Sequence, residues 1–201
     1  MIKAVIFDVG GVLHGSSGNY IFQDIMQTFE ITEEVLREVW SEIIGKLGKG
    51  EITENEFWRL FLKKIKSNKP LPKESLLLRE FIKHYDRNDD VINLVKRLKN
   101  NSYKVAVLSN SIKPHAEYQY KIGIYRNFNI VVLSHEVGMQ KPDLKIYKYL
   151  LRKLRVKPEE AFFVDDKLNN VEAASKLGIH AVLFKNIKQL EIELEKLGVK
   201  I

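Results

Sequence analysis

The chain contains no cysteine, which excludes disulfides, thiolate nucleophiles and cysteine-based zinc or iron–sulfur sites. Any metal would therefore be held by oxygen or histidine ligands. The sequence also lacks the run of about 18 apolar residues that a membrane-spanning helix needs. It opens in a strand-like segment rather than in a basic stretch followed by an apolar one. We expect no membrane partner and a cytoplasmic location.

The chain has fewer acidic than basic residues, with 26 Asp and Glu against 33 Lys and Arg, and its net charge is +7. A basic balance is typical of nucleic-acid-binding proteins. Here the basic residues are spread along helical stretches, such as residues 63–66, and alternate with acidic ones. The sequence carries no RNA-binding signature or aromatic platform. We expect no nucleic-acid partner, although a positive field would attract small phosphorylated anions.

Apolar runs of strand length alternate with amphipathic helical patterns through the second half of the chain. Strands that alternate with helices of about 10 to 15 residues are typical of a doubly wound parallel α/β sheet, whose strands are apolar on both faces. With 45% hydrophobic residues, the chain can bury one core, or one core and a smaller domain. We predict strands at residues 4–7, 104–108, 130–133, 161–164 and 180–184.

The region between the first two predicted strands, residues 20–85, is helical in pattern. Thr53 followed by Glu56 forms a capping box ahead of one helix, and a later helix is predicted over residues 73–85. Residues 15–18, Gly-Ser-Ser-Gly, predict a flexible connector to this region.

This pattern predicts a discontinuous core and an inserted cap. The α/β core comprises residues 1–15 and 87–201, and a helical cap of residues 16–86 is inserted after the first strand. Because the insertion leaves from the carboxyl end of a strand, it is expected to cover that edge of the sheet. A cap in this position would close a site against water.

Polar residues occur at the ends of the first four predicted strands or in the loops after them. Taken singly, such residues are common as caps, turns or plain surface. Because the carboxyl ends of parallel strands meet at one edge, where α/β sheets bind ligands, we expect these residues to converge. Gly10 and Gly11 would let the backbone approach the bound group. The polar residues are Asp8, Ser109 and Asn110, Lys141, and Asp165 and Asp166.

The chemistry of this set is coherent. Three carboxylates in one cleft repel one another unless a cation or protons offset them, and oxygen ligands suit Mg²⁺. With a phosphoryl group oriented there, Asp8 can attack phosphorus as a carboxylate nucleophile. Lys141 would neutralise charge, and the Ser109 hydroxyl with nearby backbone amides would hold the phosphoryl oxygens.

Four motifs resemble those of the haloacid dehalogenase-like hydrolase superfamily, in order and in strand-end placement, across nearly the whole chain. The segment from Ser134 to Gly178 is especially similar to the branch that contains the phosphatase domain of soluble epoxide hydrolase and small sugar-phosphate phosphatases. The resemblance implies a Rossmann-like core with a helical cap after the first strand. The motifs are FDVGGVL, VLSNS, GMQKPD and FFVDDKLNNVEAA.

The resemblance also implies roles for individual residues. Asp8 would be the nucleophile and Lys141 the second catalytic residue, with Ser109, Asn110 and Gly11 around the phosphate. Mg²⁺ would be held by Asp8, the Gly10 carbonyl and Asp166, with Asp165 as a ligand or a supporting partner. The acidic pair argues against the metal-free dehalogenating members.

One position departs from the family pattern. Family phosphatases usually carry an aspartate two residues after the nucleophile, where it protonates the leaving oxygen, and this chain has Gly10 there. General acid–base groups typically contribute about 10²–10⁴-fold. Members of the branch with glycine here are still regarded as phosphatases. Good leaving groups, such as anomeric or acyl phosphates, would need least protonation, and His14 is one candidate replacement acid.

The sequence thus predicts a Mg²⁺-dependent phosphatase that acts on a small phosphorylated metabolite, such as a sugar phosphate, through an aspartyl-phosphate. Two alternatives stay open. One is a phosphomutase, which Gly10 disfavours because mutases need an acid–base group. The other is a binding protein that keeps the metal site and has lost turnover.

Overall fold

Five apolar segments form one parallel sheet. The structure is a computed structural model that describes residues 1–15 and 20–201. The strands are β1 (Ala4–Phe7), β2 (Lys104–Ser109), β3 (Ile130–Leu133), β4 (Ala161–Asp165) and β5 (His180–Leu183). Their order in the sheet is β3-β2-β1-β4-β5, and every neighbouring pair is parallel. The prediction of a doubly wound α/β sheet is confirmed.

Four helices between β1 and β2 pack around a core of their own, as the helical pattern predicts. They are α1 (Tyr20–Phe29), α2 (Glu33–Gly48), α3 (Glu54–Lys64) and α4 (Leu76–Lys83), and we call them the cap helices. Aromatic side chains dominate this core, with Phe57, Trp58 and Phe61 almost fully buried. The predicted capping box at Thr53 is present, because Thr53 and Glu56 each accept a backbone N–H of the other.

Six further helices in the described chain flank the sheet. They are α5 (Asp89–Asn100), α6 (Lys113–Lys121), α7 (Ser134–Val137), α8 (Leu144–Leu154), α9 (Leu168–Ser175) and α10 (Ile187–Lys196). Successive strand residues point to opposite faces, so Val5 and Phe7 pack with residues of α5 and α10. Ala4 and Ile6 pack with residues of α8 and α9 on the other face. Both faces are therefore covered, which explains why β1 is apolar throughout.

The segments that lead into and out of the cap helices are hydrogen-bonded to each other. The Gly15 N–H donates to the Asp86 carbonyl at 2.7 Å, and the Asn88 N–H donates to the Leu13 carbonyl at 2.9 Å. The Asn88 side chain also donates to the Val12 carbonyl at 3.1 Å. This pairing fixes the base of the cap helices beside the end of β1.

Several boundaries and one element differ from the sequence predictions. Strands β2, β4 and β5 end one residue away from the predicted ends, at Ser109, Asp165 and Leu183. Helix α4 begins at Leu76 rather than at residue 73, because the Ser75 hydroxyl caps it by accepting the Leu78 N–H at 2.9 Å. The sequence pattern predicts a helix over about residues 115–122, but helix α6 begins at Lys113, since a proline in the first turn is compatible with helical geometry. The four-residue helix α7 was not predicted, because a single turn shows no helical periodicity.

Residues 16–18 of the predicted flexible connector lie outside the described residues. The division into a core of residues 1–15 and 87–201 and a cap of residues 16–86 stays a prediction. No helix in the described part of the chain is both long enough and apolar enough to cross a membrane.

Candidate active site

The register of the sheet places the ends of β1 and β4 side by side. Phe7 lies opposite Val164, so Asp8 and Asp165 follow at the same level. The Asp8 N–H donates to the Val164 carbonyl at 2.9 Å and continues the pairing by one bond. Both carboxylates are buried, with Asp8 6% exposed and Asp165 fully enclosed.

Lys141 bridges these two carboxylates. Its Nζ lies 2.8 Å from Asp8 Oδ1 and 2.6 Å from Asp165 Oδ2, and its side chain is 1% exposed. The Asn110 amide holds the Lys141 backbone in place by donating to its carbonyl and accepting its N–H, both at 2.8 Å. The loops after β2 and β3 are thus joined behind the lysine, and its ammonium is fixed between two anions.

Asp165 is saturated with hydrogen-bond donors. Its Oδ1 accepts the Lys167 N–H at 2.8 Å and the Asn170 side-chain amide at 3.0 Å. Its Oδ2 accepts Lys141 at 2.6 Å and the same Asn170 amide at 3.1 Å. A carboxylate with this many donors has little capacity left for a metal, so its geometry favours a supporting role.

Asp166 has the opposite character. Its Oδ1 is buried and has no hydrogen-bond partner among the described residues, and such an atom is costly unless a ligand satisfies it. Each of Asp8, Asp165 and Asp166 offers an oxygen within 4.8 Å of the others. An unpartnered carboxylate oxygen in an all-oxygen cluster fits Mg²⁺.

Gly11 lies directly against Asp166. It has a φ of +77°, and a Cβ built on it would lie 2.3 Å from Asp166 Oδ2. Only glycine meets both conditions, since other residues are strained at positive φ and would displace the carboxylate. Gly11 therefore shapes the acidic cluster as well as the turn after β1.

Burial and charge set the protonation of the cluster. Burial raises the pKa of Asp8 to about 6 against the opposing charge of Lys141, and the charge of Asp165 adds to the rise. Burial acts to lower the pKa of Lys141, but the charges of Asp8 and Asp165 outweigh it and raise that pKa above its ordinary value. Burial, together with the Asp165 charge, also raises the pKa of Asp166. The Asp8–Lys141 pair is therefore ionised at neutral pH.

The remaining predicted residues surround a cavity at the same edge. Gly10, Ser109 and Asn110 line this cavity, whose volume is about 450 Å³ and which opens beneath the cap helices. The Ser109 side chain is 4% exposed. The structure thus brings together all the residues that the motifs singled out, and their individual roles stay predictions.

His14 is held in a neutral form by its neighbours. Its Nδ1 lies 2.8 Å from the Gly15 carbonyl, which can only accept, so Nδ1 carries the proton. Its Nε2 then accepts from the Gln119 amide at 3.2 Å, and the Gln119 carbonyl in turn accepts from the Tyr125 hydroxyl. Burial also lowers the pKa of His14. With both ring nitrogens engaged, His14 has no proton directed at the cavity, which argues against it as a replacement acid.

Sequence reasoning missed three polar residues that support the site. Asn170 fixes Asp165, and Gln119 with Tyr125 fixes His14. Asn170 lies in the quoted motif, and its place in the first turn of the helix after Asp165 was an available signal. Gln119 and Tyr125 carried none, because Tyr125 acts through Gln119 and the contact of Gln119 with His14 joins residues about a hundred positions apart.

Comparisons with known proteins agree with this geometry. Residues 2–178 match the haloacid dehalogenase-like hydrolase family. The chain is 30% identical to drimenol cyclase of Aspergillus calidoustus over 96% of this chain and 36% of that protein. It is 29% identical to glyceraldehyde 3-phosphate phosphatase of Methanopyrus kandleri over 96% of this chain and 88% of that protein. The chain thus spans about a third of the cyclase and most of the phosphatase.

A solved structure shows the same fold. A HAD family enzyme from Bacteroides thetaiotaomicron, in complex with magnesium and inorganic phosphate, superposes with a TM-score of 0.77 at 24% identity. The match covers 92% of this chain and 95% of that one. With the family match over most of its length, the strand-end carboxylates and the shared fold, this chain belongs to the haloacid dehalogenase-like hydrolase family.

Proposed function

We propose that the chain is a Mg²⁺-dependent phosphatase that hydrolyses a small phosphorylated metabolite through an aspartyl-phosphate on Asp8. The observation that carries the proposal is the unpartnered, buried Asp166 Oδ1 in a cluster with Asp8 and Asp165. Asp8, Asp166 and the Gly10 carbonyl would hold the ion, and Asp165 would support it. When bound, Mg²⁺ would offset the charge of the carboxylates and of the phosphoryl oxygens.

The residues of the chain would act in sequence on the phosphoryl group. Lys141 holds Asp8 Oδ1 at 2.8 Å, and this contact orients the carboxylate and keeps it ionised. An Asp8 oxygen then attacks phosphorus, and the ester P–O bond breaks as the alcohol leaves with a proton from water. Attack of water on the aspartyl-phosphate breaks the new bond and returns Asp8 and inorganic phosphate. Ser109 would donate to the phosphoryl oxygens in both steps.

Asn110 contributes by positioning rather than by direct contact of its amide. Both ends of that amide are engaged by the Lys141 backbone, so the side chain fixes the lysine loop. Gly10 supplies no acid, and His14 is locked as a neutral donor to Gly15. Substrates whose leaving groups need little protonation, such as anomeric or acyl phosphates, are therefore expected to react fastest. The similarity to a protein named as a phosphatase along most of its length supports the assignment.

The test is hydrolysis of an aryl phosphate with and without Mg²⁺. We expect release of inorganic phosphate that requires Mg²⁺, is abolished by EDTA and falls by at least about a hundredfold in Asp8→Asn. Asp90→Asn is the matched control, since Asp90 is exposed at the start of α5. If Asp8→Asn keeps the metal-dependent rate of the wild type, Asp8 is not the nucleophile. No hydrolysis across a panel of phosphate esters would favour a binding protein, and transfer without phosphate release would favour a mutase.

A further inference from the structure

The cavity beside the acidic cluster has two chemically different walls. One wall comes from the core and carries His14, Ser109, Asn110, His115 and Gln119 among its polar groups. The other comes from the described part of the cap helices, and apart from the indole N–H of Trp40 every side chain on it is apolar or absent. It consists of Ile21, Phe22, Trp40, Ile44, Leu77 and Phe81, with Gly45 and Gly48.

Helix α2 shows how the apolar wall arises. Val39, Ile43 and Leu47 form a buried stripe inside the cap core. Trp40 and Ile44 lie one position further on, four residues apart, so they share the neighbouring face and remain only partly buried. This second stripe faces the cavity. The helix is therefore apolar on a face that its own core covers only in part.

Most polar side chains of the core wall are already hydrogen-bonded. His115 Nε2 lies 3.0 Å from the Leu77 carbonyl. His14 and Gln119 bond to each other at 3.2 Å, and Asn110 is engaged by the Lys141 backbone. The Gln140 amide and the exposed Lys167 ammonium, which also line the cavity, are the main groups left to receive the hydroxyls of a sugar. A hydroxyl turned towards the cap wall would lose its hydrogen bonds to water without replacement.

We propose that this cavity binds the apolar body of a phosphate monoester, so that, among esters whose leaving groups are equally basic, phosphates of apolar alcohols are preferred to phosphates of sugars. The inference rests on the proposed phosphatase function and narrows its substrate class. The phosphoryl group lies at the end formed by Gly10, Ser109 and Asn110, and the apolar body extends along Trp40 and Ile44. At roughly 30 Å³ per water-sized group, 450 Å³ holds about 15 non-hydrogen atoms.

A homologous series of linear alkyl phosphates, from ethyl to octyl, tests the substrate class. Each methylene that becomes fully buried is expected to raise kcat/KM by about fourfold, so hexyl phosphate exceeds ethyl phosphate by at least about tenfold. Glucose 6-phosphate, which like hexyl phosphate is the ester of a primary alcohol with six carbons, is expected to be the poorer substrate. Rates that do not rise with chain length, or faster turnover of the sugar phosphate, overturn the inference while leaving the phosphatase function intact.

Binding of non-hydrolysable alkylphosphonates gives a readout that does not depend on turnover. Calorimetric titration with Mg²⁺ present should show octylphosphonate binding at least about tenfold more tightly than ethylphosphonate. Equal affinities overturn the inference. If the chain hydrolyses no ester at all, the phosphatase function fails, and the phosphonate comparison still decides the nature of the cavity.

A matched pair of variants on α2 locates the effect. Ile44→Thr places a hydroxyl on the cavity wall, whereas Val35→Thr makes a comparable change at a position 38% exposed to solvent. We expect Ile44→Thr to lower the octyl-to-ethyl ratio of kcat/KM by at least about threefold and Val35→Thr to leave that ratio at the wild-type value. Thermal unfolding checks that both variants fold. An unchanged ratio in folded Ile44→Thr means that the cap wall does not contact the substrate, which overturns the proposal.

Discussion

Replacement of Gly11 by alanine should damage the metal site through contact with Asp166. The new Cβ would lie 2.3 Å from Asp166 Oδ2, 2.5 Å from its Cγ and 2.8 Å from its Cβ. To reach the 3.4 Å of ordinary contact, the carboxylate must move by about 1 Å. A shift of this size at a proposed ligand should weaken Mg²⁺ binding by about 10- to 100-fold, as changes around metal ligands typically do.

Gly198→Ala separates this contact from backbone strain. Gly198 has a φ of +73°, close to the +77° of Gly11, but a Cβ there would meet nothing within 4 Å. Alanine at positive φ costs about 1–2 kcal/mol of unfolding free energy, partly offset by about 0.4–1 kcal/mol from the stiffer unfolded chain. Gly198→Ala should therefore lose about 1 kcal/mol and keep wild-type Mg²⁺ affinity.

A double-mutant cycle assigns the remaining loss to Asp166. The partner substitution is Asp166→Gly, because the Asp166 Cβ itself would lie 2.8 Å from the new methyl. In the Asp166→Gly background, Gly11→Ala should lower the free energy of unfolding by no more than Gly198→Ala does, as measured by urea unfolding without metal. In the wild-type background it should lower that free energy clearly more. Calorimetric titration measures Mg²⁺ affinity of the single variants. If Gly11→Ala binds Mg²⁺ like the wild type and loses no more stability than Gly198→Ala, the reasoning is wrong.

Three further predictions concern the groups around the cavity and the lysine. Burial lowers the pKa of His115 to about 4. Between pH 6.5 and 4, His115 is therefore protonated in the unfolded chain but stays neutral in the folded one. The wild type should therefore lose up to about 3 kcal/mol more than His115→Gln over that range in urea unfolding, and parallel pH curves would contradict this. Asn170→Ala should lower kcat by about tenfold, because Asp165 loses the amide that holds it. Asn169→Ala, at an exposed position, should leave kcat unchanged. Equal kcat values for the two variants would show that Asn170 does not position Asp165. Lys141→Met should lower the free energy of unfolding by about 3–5 kcal/mol at pH 8, because it leaves two buried carboxylates without a cation. The loss should be smaller at pH 5, where protonation removes the negative charge of these carboxylates. A loss that does not change with pH would count against the ion pair.

The sheet and its active edge could be predicted because the evidence for them is local. Four consecutive apolar residues in β1, all buried, indicate a strand covered on both faces. The residue that ends each parallel strand must then lie at one edge. Asp8 and Asp165 meet there for this reason, and Lys141 reaches both from the loop between α7 and α8, although the three residues are far apart in the sequence. The lengths of the apolar runs and the polar residues that follow them were enough to predict this edge of the sheet.

The residue pattern alone does not separate the proposed roles of Asp165 and Asp166, although the family resemblance implies that Asp166 is a metal ligand and leaves Asp165 as a ligand or a supporting partner. The two residues are identical and adjacent, and by their chemistry a metal could be held by either. Only the side-chain contacts separate them, since Asp165 accepts from Lys141, Lys167 and Asn170 while Asp166 Oδ1 accepts from no described residue. Such contacts depend on rotamers and helix orientation, which residue patterns do not specify.

The same limit applies to the cavity. The sequence predicts that α2 is amphipathic, but not that Trp40 and Ile44 lie at the edge of the cap core and also face the cavity. Their direction follows from how the end of α2 docks, and the Ser134 hydroxyl donates there to the Gly48 carbonyl. A Cβ on Gly50 would lie 2.3 Å from the His135 carbonyl, so glycine permits the close approach. Contacts between the cap helices and the segment after β3 thus set which stripe of α2 faces the cavity.

This docking connects the fold to the chemistry. The described contacts that hold the cap helices against the core are hydrogen bonds to backbone carbonyls, as between Ser134 and Gly48 or His115 and Leu77, together with apolar packing that includes Ile112. An apolar cap held close over the acidic cluster lowers the local dielectric, which strengthens the Lys141–Asp8 interaction and every contact to a bound phosphoryl group. In the proposed complex the same apolar surface would contact the rest of the substrate. One packing arrangement would then determine both the strength of the electrostatics at Asp8 and the kind of molecule that can reach it.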